Sequence, residues 1–492
     1  VHELVVVSDL HVGRGRDPET GRYKRLEAFF YDNDFYRFCS WLCEDALERG
    51  ITFKLILNGD TFDLLRIDSG EPNPTSLAGI PLTPDAASNS VREMLEGHVT
   101  FVEGLARVLD CGHSIVFIAG NHDIEIQWQA VQDTIRNVIT SYVKTDIEPN
   151  IEFAPWFYHE PNRLWVEHGC QYDEDNAFEY FLRTRTELMS DEFHKSEVGL
   201  PMGSLFQRYI YNNLGNITFI VPGRGAMGRY FRWLLFNKPK LVVRTFAGRL
   251  PLFLKMVWKS SRARLHKDSL IRLHESSFDA LAITSGLNGK LYEVAKMSRS
   301  SRSDSVIGKM ALGFLKGAGI MLLITMVILA LWFASVYGLT TLATSVGLRA
   351  ILFIVSNFGF VMLLFIAVLF IILRTAKEPE SSPMRTTARR IGRVLDIPMV
   401  VFGHSHDEVV WSLSRGKGKK TKYFNTGSWA SVFTRDQLVP RERVQYTFLH
   451  IVEDNGTLLQ WSPGRDKPMP VILLDDGHPS DEPTRPTDAV AS

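Results

Sequence analysis

The sequence predicts an α/β core, and three observations predict it. Short apolar runs of strand length recur along the chain, helical patterns lie between the first three, and acidic, amide and histidine residues collect where the runs end. The runs cover 4–7, 53–57, 114–118, 164–166 and 398–402, each bounded by Gly, Asp, Asn or His. Such lengths suit buried strands rather than helices. The first run, within VHELVVVSDL, has no basic region or cleavage site before it, so no secretory signal is expected. Helical patterns follow at 35–47 and 91–109. Between them, 67–90 carries Pro72, Pro74, Pro81 and Pro84 and reads as a long loop, of a length that serves as a lid or a surface excursion.

Two long apolar stretches come much later. Residues 318–337 and 350–373 contain no charged side chain, and at about 1.5 Å per residue each is long enough for a hydrocarbon core of about 30 Å. They are expected to form a transmembrane hairpin. Lys309 and Lys316 precede it, and Arg374, Lys377, Arg385, Arg389 and Arg390 follow it, whereas the connection holds only Arg349. The positive-inside rule then places both ends, and the catalytic domain, on the cytoplasmic side of an inner or cell membrane.

Composition narrows the classes. The 492 residues are 45% apolar and 22% charged, which excludes a disordered or collagen-like chain and a bundle made mostly of transmembrane helices. Cys39, Cys43, Cys111 and Cys170 are too few and too irregular for a disulfide framework or a thiolate zinc site, so free thiols in a reducing compartment are expected. The 55 basic and 55 acidic side chains cancel, but not locally: 199–309 holds 19 Lys and Arg against 5 Asp and Glu. Phe206, Tyr209, Tyr211, Phe219, Tyr230, Phe231, Trp233, Phe236, Phe246, Phe253 and Trp258 are interleaved through it. Beside two apolar spans this composition favours anionic lipid headgroups over nucleic acid.

The chemistry sits in five short motifs: Asp9-Leu10-His11, Gly59-Asp60-Thr61-Phe62-Asp63, Gly120-Asn121-His122-Asp123, His168-Gly169 and Gly403-His404-Ser405-His406. Strand ends of an open α/β sheet are where ligands collect. Strand alternation would point Asp9 and His11 to one ion, and His404 and His406 to a common site. The donors Asp9, His11, Asp60, Asn121, His168, His404 and His406 include no thiolate and are too many for one tetrahedral zinc; they fit two hard or borderline ions sharing a carboxylate. Two such ions are the apparatus of phosphoester hydrolysis. His122 would protonate the leaving oxygen, with Asp123 orienting its ring. His98, His159 and His450 read as ordinary surface or core residues.

The order DxH, GDxxD, GNHD, HG, GHxH resembles the calcineurin-like metallophosphoesterase superfamily over 1–190 and 394–462. The resemblance implies a four-layer αββα sandwich, interrupted here by a basic helical segment and the hairpin. It implies one ion on Asp9, His11, Asp60 and His406, the other on Asp60, Asn121, His168 and His404, and His122 as the acid. Manganese is frequent in the superfamily, and iron, zinc and magnesium also occur. GDTFDLL and Asn425-Thr426-Gly427-Ser428-Trp429 are similar to the branch containing UDP-2,3-diacylglucosamine pyrophosphatase of lipid A synthesis. His122 and Asp407 stand where that branch has Arg, and the hairpin replaces a short helical lid.

The expected organisation is therefore a metallophosphoesterase domain in two parts, 1–198 and 394–462. Between them lie a basic aromatic insertion at 199–309 and the hairpin at 310–376, and a disordered tail follows at 463–492. The expected activity is metal-dependent hydrolysis of a phosphate ester or diphosphate of a lipid or lipid-linked substrate. The alternatives are a tethered phosphodiesterase or nuclease acting on soluble substrates, and a non-catalytic membrane adaptor. Intact ligands speak against the last, because a buried carboxylate and histidine cluster is costly to keep without metals.

Overall fold

The computed structural model describes residues 2–66, 84–146, 148–182, 200–210, 212, 267–298, 326–338, 345–374, 382–416, 418–430 and 444–471, with isolated positions between 237 and 248 and at 341. Two compact units divide the chain, Val1–Ser301 with Glu380–Ser492, and Arg302–Pro379.

In the first unit β1 (His2–Val7) is central to a seven-stranded mixed sheet. It runs parallel to β2 (Thr52–Asn58), which continues to β3 (Ser114–Ile118) and β4 (Asn150–Ala154). Its other edge continues through the antiparallel strands β10 (Thr447–Val452), β11 (Asn455–Ser462) and β12 (Lys467–Pro470). A five-stranded mixed sheet has the order β5 (Phe157–Glu160), β6 (Leu164–Glu167), β7 (Met399–Phe402), β9 (Lys419–Thr426) and β8 (Glu408–Gly416). β6 and β7 pair in parallel, Leu164 opposite Met399, so the chain returns after the insertion to complete one sheet.

The Val run of β1 lacks polar alternation because both its faces are buried. Leu4 and Val6 join Ile56, Val116 and Ile118 and pack on Leu164, Val166, Met399, Val401 and Phe424 of the second sheet. Val5 and Val7 face the opposite core, with Phe35 and Phe38 of α1 (Asp32–Arg49), Val91 and Met94 of α2 (Pro84–Gly97), Phe101 and Leu105 of α3 (Val99–Asp110) and Val131 and Ile135 of α4 (Gln129–Thr140). On the far side of the five-stranded sheet lies α9 (Ser382–Leu395), packed on β7, β8 and β9, with Ala388 and Ile391 buried and its arginines outward.

The helical pattern at 91–109 is two helices rather than one. The break falls at His98, whose buried ring lies 2.7 Å from Asp32 through Nδ1 and 3.2 Å from Glu27 through Nε2. Glu27 also accepts the backbone N–H groups of Gly13, Ala28 and Phe29. His98 is thus the buried, satisfied core histidine expected, and its two carboxylate partners pin the loop after β1 to the helix break. In the expected loop at 67–90, residues 84–90 are helical and 67–83 lie outside the described residues. The expected disordered tail begins instead with an ordered edge strand, β12, and 472–492 lie outside the described residues.

The basic insertion is described only in part, and three of its residues, near its two ends, are hydrogen-bonded to the rest of the first unit. Gly203 in α5 (Met202–Tyr209) donates its N–H to the Asp175 carbonyl at 2.7 Å, and the Asn212 amide donates to the Leu65 carbonyl at 2.9 Å. Beyond α6 (Lys267–Thr284) and α7 (Gly289–Ala295), the Ser298 hydroxyl donates to the Gln171 carbonyl at 3.2 Å. The aromatics Tyr211, Phe219, Tyr230, Phe231, Trp233, Phe236, Phe246, Phe253 and Trp258 lie outside the described residues.

The transmembrane hairpin is corrected. Among the described residues no helix is long and apolar enough to cross a membrane. Within the first stretch the described residues 326–338 are helical. The second helix, α8 (Val346–Arg374), takes Arg349 into its first turn and carries Ser356 and Asn357. Trp332 and Phe360 bring the two helices together with ring centroids 5.6 Å apart. The positive-inside argument rested on the hairpin and falls with it.

Candidate metal centre

The donor residues lie just past the strand ends, where the chain leaves the extended conformation. Asp9, His11, Asp60, His404 and His406 all have positive φ, between 50° and 66°, a left-handed backbone that bulky side chains avoid. Strand alternation therefore does not aim these side chains. Left-handed turns do, and interlocked loops hold them: Asp9 N–H donates to the Gly59 carbonyl at 3.1 Å, His11 N–H to Asp60 at 2.9 Å and Gly403 N–H to His168 at 3.0 Å.

Three overlapping groups of close donor atoms result among the described residues; one joins His11, Asp60 and His122, and the other two hold the predicted donors. In the first, His406 Nε2 is 3.0 Å and His11 Nε2 3.9 Å from Asp9 Oδ1, and the two Nε2 atoms are 3.2 Å apart. In the second, Asp60, His168 and His404 converge, with His168 Nε2 3.3 Å from Asp60 Oδ2 and 3.2 Å from Asn121 Oδ1. Asp60 Oδ2 is also 3.8 Å from His11 Nε2, so one carboxylate faces both groups. The expected common site for His404 and His406 is not formed; the two rings go to different groups. All seven donor residues are buried.

These residues fit metal ions. The His11 and His406 Nε2 atoms face each other at 3.2 Å, where at most one proton fits, with the buried Asp9 Oδ1 beside both, an arrangement that a cation relieves. The donors are carboxylate, amide and imidazole, which suits borderline or hard divalent ions. Cys170, two residues beyond His168, supplies no thiolate, because burial and the nearby Asp60 push its thiol far up.

Electrostatics agree with a site awaiting positive charge. Burial alone would raise the Asp9 carboxyl, yet the His406 and His168 rings hold it at about 2. Asp60 is held well below the carboxylate range by His168 and His122, again against burial. His168 is raised to about 10 by Asp60 and Asp9 despite its burial. Protons on such rings are what a metal displaces on binding.

His122 lies beside this centre, its Nε2 4.0 Å from Asp60 Oδ2. The carboxylate that orients it is Asp63, whose Oδ1 is 2.8 Å from His122 Nδ1, and not Asp123. Asp63 Oδ2 also lies 3.4 Å from His11 Nδ1. Asp123 turns inward and accepts the backbone N–H groups of Gly120 at 2.7 Å, Thr61 at 2.8 Å, and Asp60 and Phe62 at 3.2 Å. It closes the two loops onto each other, and the His122 ring is left to Asp63. Asp63 and Asp60 keep His122 protonated up to about 9 in spite of burial.

The segment from Asn425 to Trp429 buttresses the centre from behind. The Asn425 amide donates to the Gly403 carbonyl at 2.7 Å, the Ser428 hydroxyl donates to the Asp9 carbonyl at 2.8 Å, and the Ser8 and Thr426 hydroxyls are 2.6 Å apart. Sequence reasoning quoted this motif and Asp63 without giving either a role; the signal for Asp63 was its place three residues after Asp60. His159 and His450 lie away from the centre, the latter 2.6 Å from Glu3.

No family model matches the chain, and no curated protein matches it. The class of site therefore rests on the buried donor groups themselves.

Proposed function

We propose that the chain is a dinuclear metal-dependent phosphoesterase of the calcineurin-like kind, with manganese as the first metal to try. The observation that carries the proposal is the position of Asp60 Oδ2, facing the Asp9, His11 and His406 group on one side and the Asn121, His168 and His404 group on the other. Two ions held there would polarise phosphoryl oxygens and bring a shared water toward neutral acidity.

The chain's own residues supply the rest. His122, protonated at neutral pH and fixed through Nδ1 by Asp63, presents Nε2 toward the centre, where a proton is delivered to the leaving oxygen. Asp123 keeps the two loops that carry Asp60 and Asn121 in register. The reaction is hydrolysis: the phosphorus–oxygen bond to the leaving group breaks as water adds, and the leaving oxygen takes its proton from His122.

For the substrate we propose a phosphate ester or diphosphate of a lipid or lipid-linked molecule. The support is the second unit, whose helices leave Phe333, Tyr337, Phe358 and Val361 exposed by 62–73%, an apolar surface that favours a lipid aggregate or bilayer surface. The test is to incubate purified protein with manganese and a panel of phospholipids, UDP-diacyl sugars and nucleotides. Turnover of the lipid members, stimulated by vesicles and removed by a chelator, is the expected result. Turnover of soluble nucleotides alone, indifferent to vesicles, would refute the lipid assignment and leave a phosphodiesterase acting on soluble substrates.

A further inference from the structure

We infer that Asp173 is a positioning residue that selects which nitrogen of His404 is presented to the metal centre; the inference rests on the two-metal reading above. His404 Nε2 lies 3.1 Å from Asp173 Oδ2, in a pair whose side chains are 7% and 10% exposed. The carboxylate is itself held in place. Its Oδ2 accepts the Asn176 amide at 2.8 Å and its Oδ1 the Asp175 N–H at 3.1 Å, while its carbonyl takes the N–H groups of Asn176 and Ala177. Asp173 thus sits on a closed turn, and that turn is joined to α5 through Gly203 and Asp175.

The other rings face the opposite way. His168 uses Nδ1 on the Asn58 carbonyl at 3.0 Å, and His11 turns Nδ1 to Asp63, so both present Nε2 to Asp60. At His404 the nitrogen toward the carboxylate is Nε2, which leaves Nδ1 as the metal donor. Asp173 belongs to none of the groups of mutually close donor atoms among the described residues, although it is within hydrogen-bond reach of one member. It therefore acts on the ring rather than on an ion. A carboxylate on the far nitrogen fixes the tautomer, raises ligand basicity and typically changes metal affinity by about 10–100-fold.

The test uses the full chain. Manganese titration calorimetry with metal analysis should find two ions on the wild type. Asp173→Asn should weaken one site by about 10–100-fold and leave the other and the metal-free melting temperature unchanged, with Asp173→Glu recovering part of the loss. In the zinc-loaded, histidine-labelled protein, NMR should show His404 as the Nε2–H tautomer. Unchanged binding of both ions by Asp173→Asn, or an Nδ1–H tautomer at His404 in the wild type, would overturn the inference while leaving the two-metal reading standing. Loss of both ions together with a fall in melting temperature would make Asp173 merely structural. A wild type that binds no ion would overturn the two-metal reading itself, and the inference with it.

Discussion

Asp9, His11, Asp60, His404 and His406 hold left-handed backbone at a cost on the order of 1–3 kcal/mol each, and the interlocked loops sustain it. Such strain is expected where geometry is kept for binding. Asp60→Ala should therefore remove both ions and abolish hydrolysis, measured by metal analysis and turnover of an aryl phosphate. His122→Ala should leave metal content nearly intact and cut turnover, by about 10²–10⁴-fold for the loss of a general acid, whereas Asp63→Asn should cut turnover and also weaken metal binding, because Asp63 faces His11 Nδ1 as well. The seven donors were legible in the sequence because each sits in a short motif beside Gly, Asp or His. The partner of His122 was not. Asp123 is adjacent in sequence and Asp63 is not, and only the closure of two loops decides which carboxylate meets the ring.

Elements position these residues through close approach. A Cβ at Gly120 would collide with the Asp60 carboxylate and backbone, so Gly120→Ala should lose metal affinity well before it unfolds, a difference that calorimetry and a melting curve separate. The pin between α2 and α3 adds a pH dependence. Burial opposes the charge on His98, but Asp32 and Glu27 raise it from 6.5 to about 9. Its stabilising contribution is then complete below pH 6.5 and lost as pH rises through about 9, on the order of 3 kcal/mol. Melting curves between pH 6 and 10 should show this fall, and His98→Gln should flatten it. Five strands were legible because central strands buried on both faces read as unbroken apolar runs. Edge and hairpin strands such as β4, β5, β8 and β12 carry charged or polar residues on an open face and left no such signal. The break at His98 was hidden because the apolar period runs across it.

At the scale of the molecule, the pairing of β6 with β7 shows one unit interrupted by a long insertion, as the division of the five motifs, four before it and one after, suggested. The expected hairpin rested on absence of charge alone, whereas spanning needs length and apolarity together in one helix, and among the described residues no helix combines them. Vesicle flotation should still report association through the exposed apolar helices, weakened by Phe333→Ser with Phe358→Ser and not by salt, whereas a purely basic contact would be lost at high salt. The central claim concerns the donor groups around Asp60. The most direct measurement is hydrolysis of a chromogenic phosphoester by metal-free protein titrated with manganese. Activity that is absent at the start and rises as the second equivalent binds is the predicted result. Hydrolysis at full rate without metal, or none at any metal loading, would contradict it.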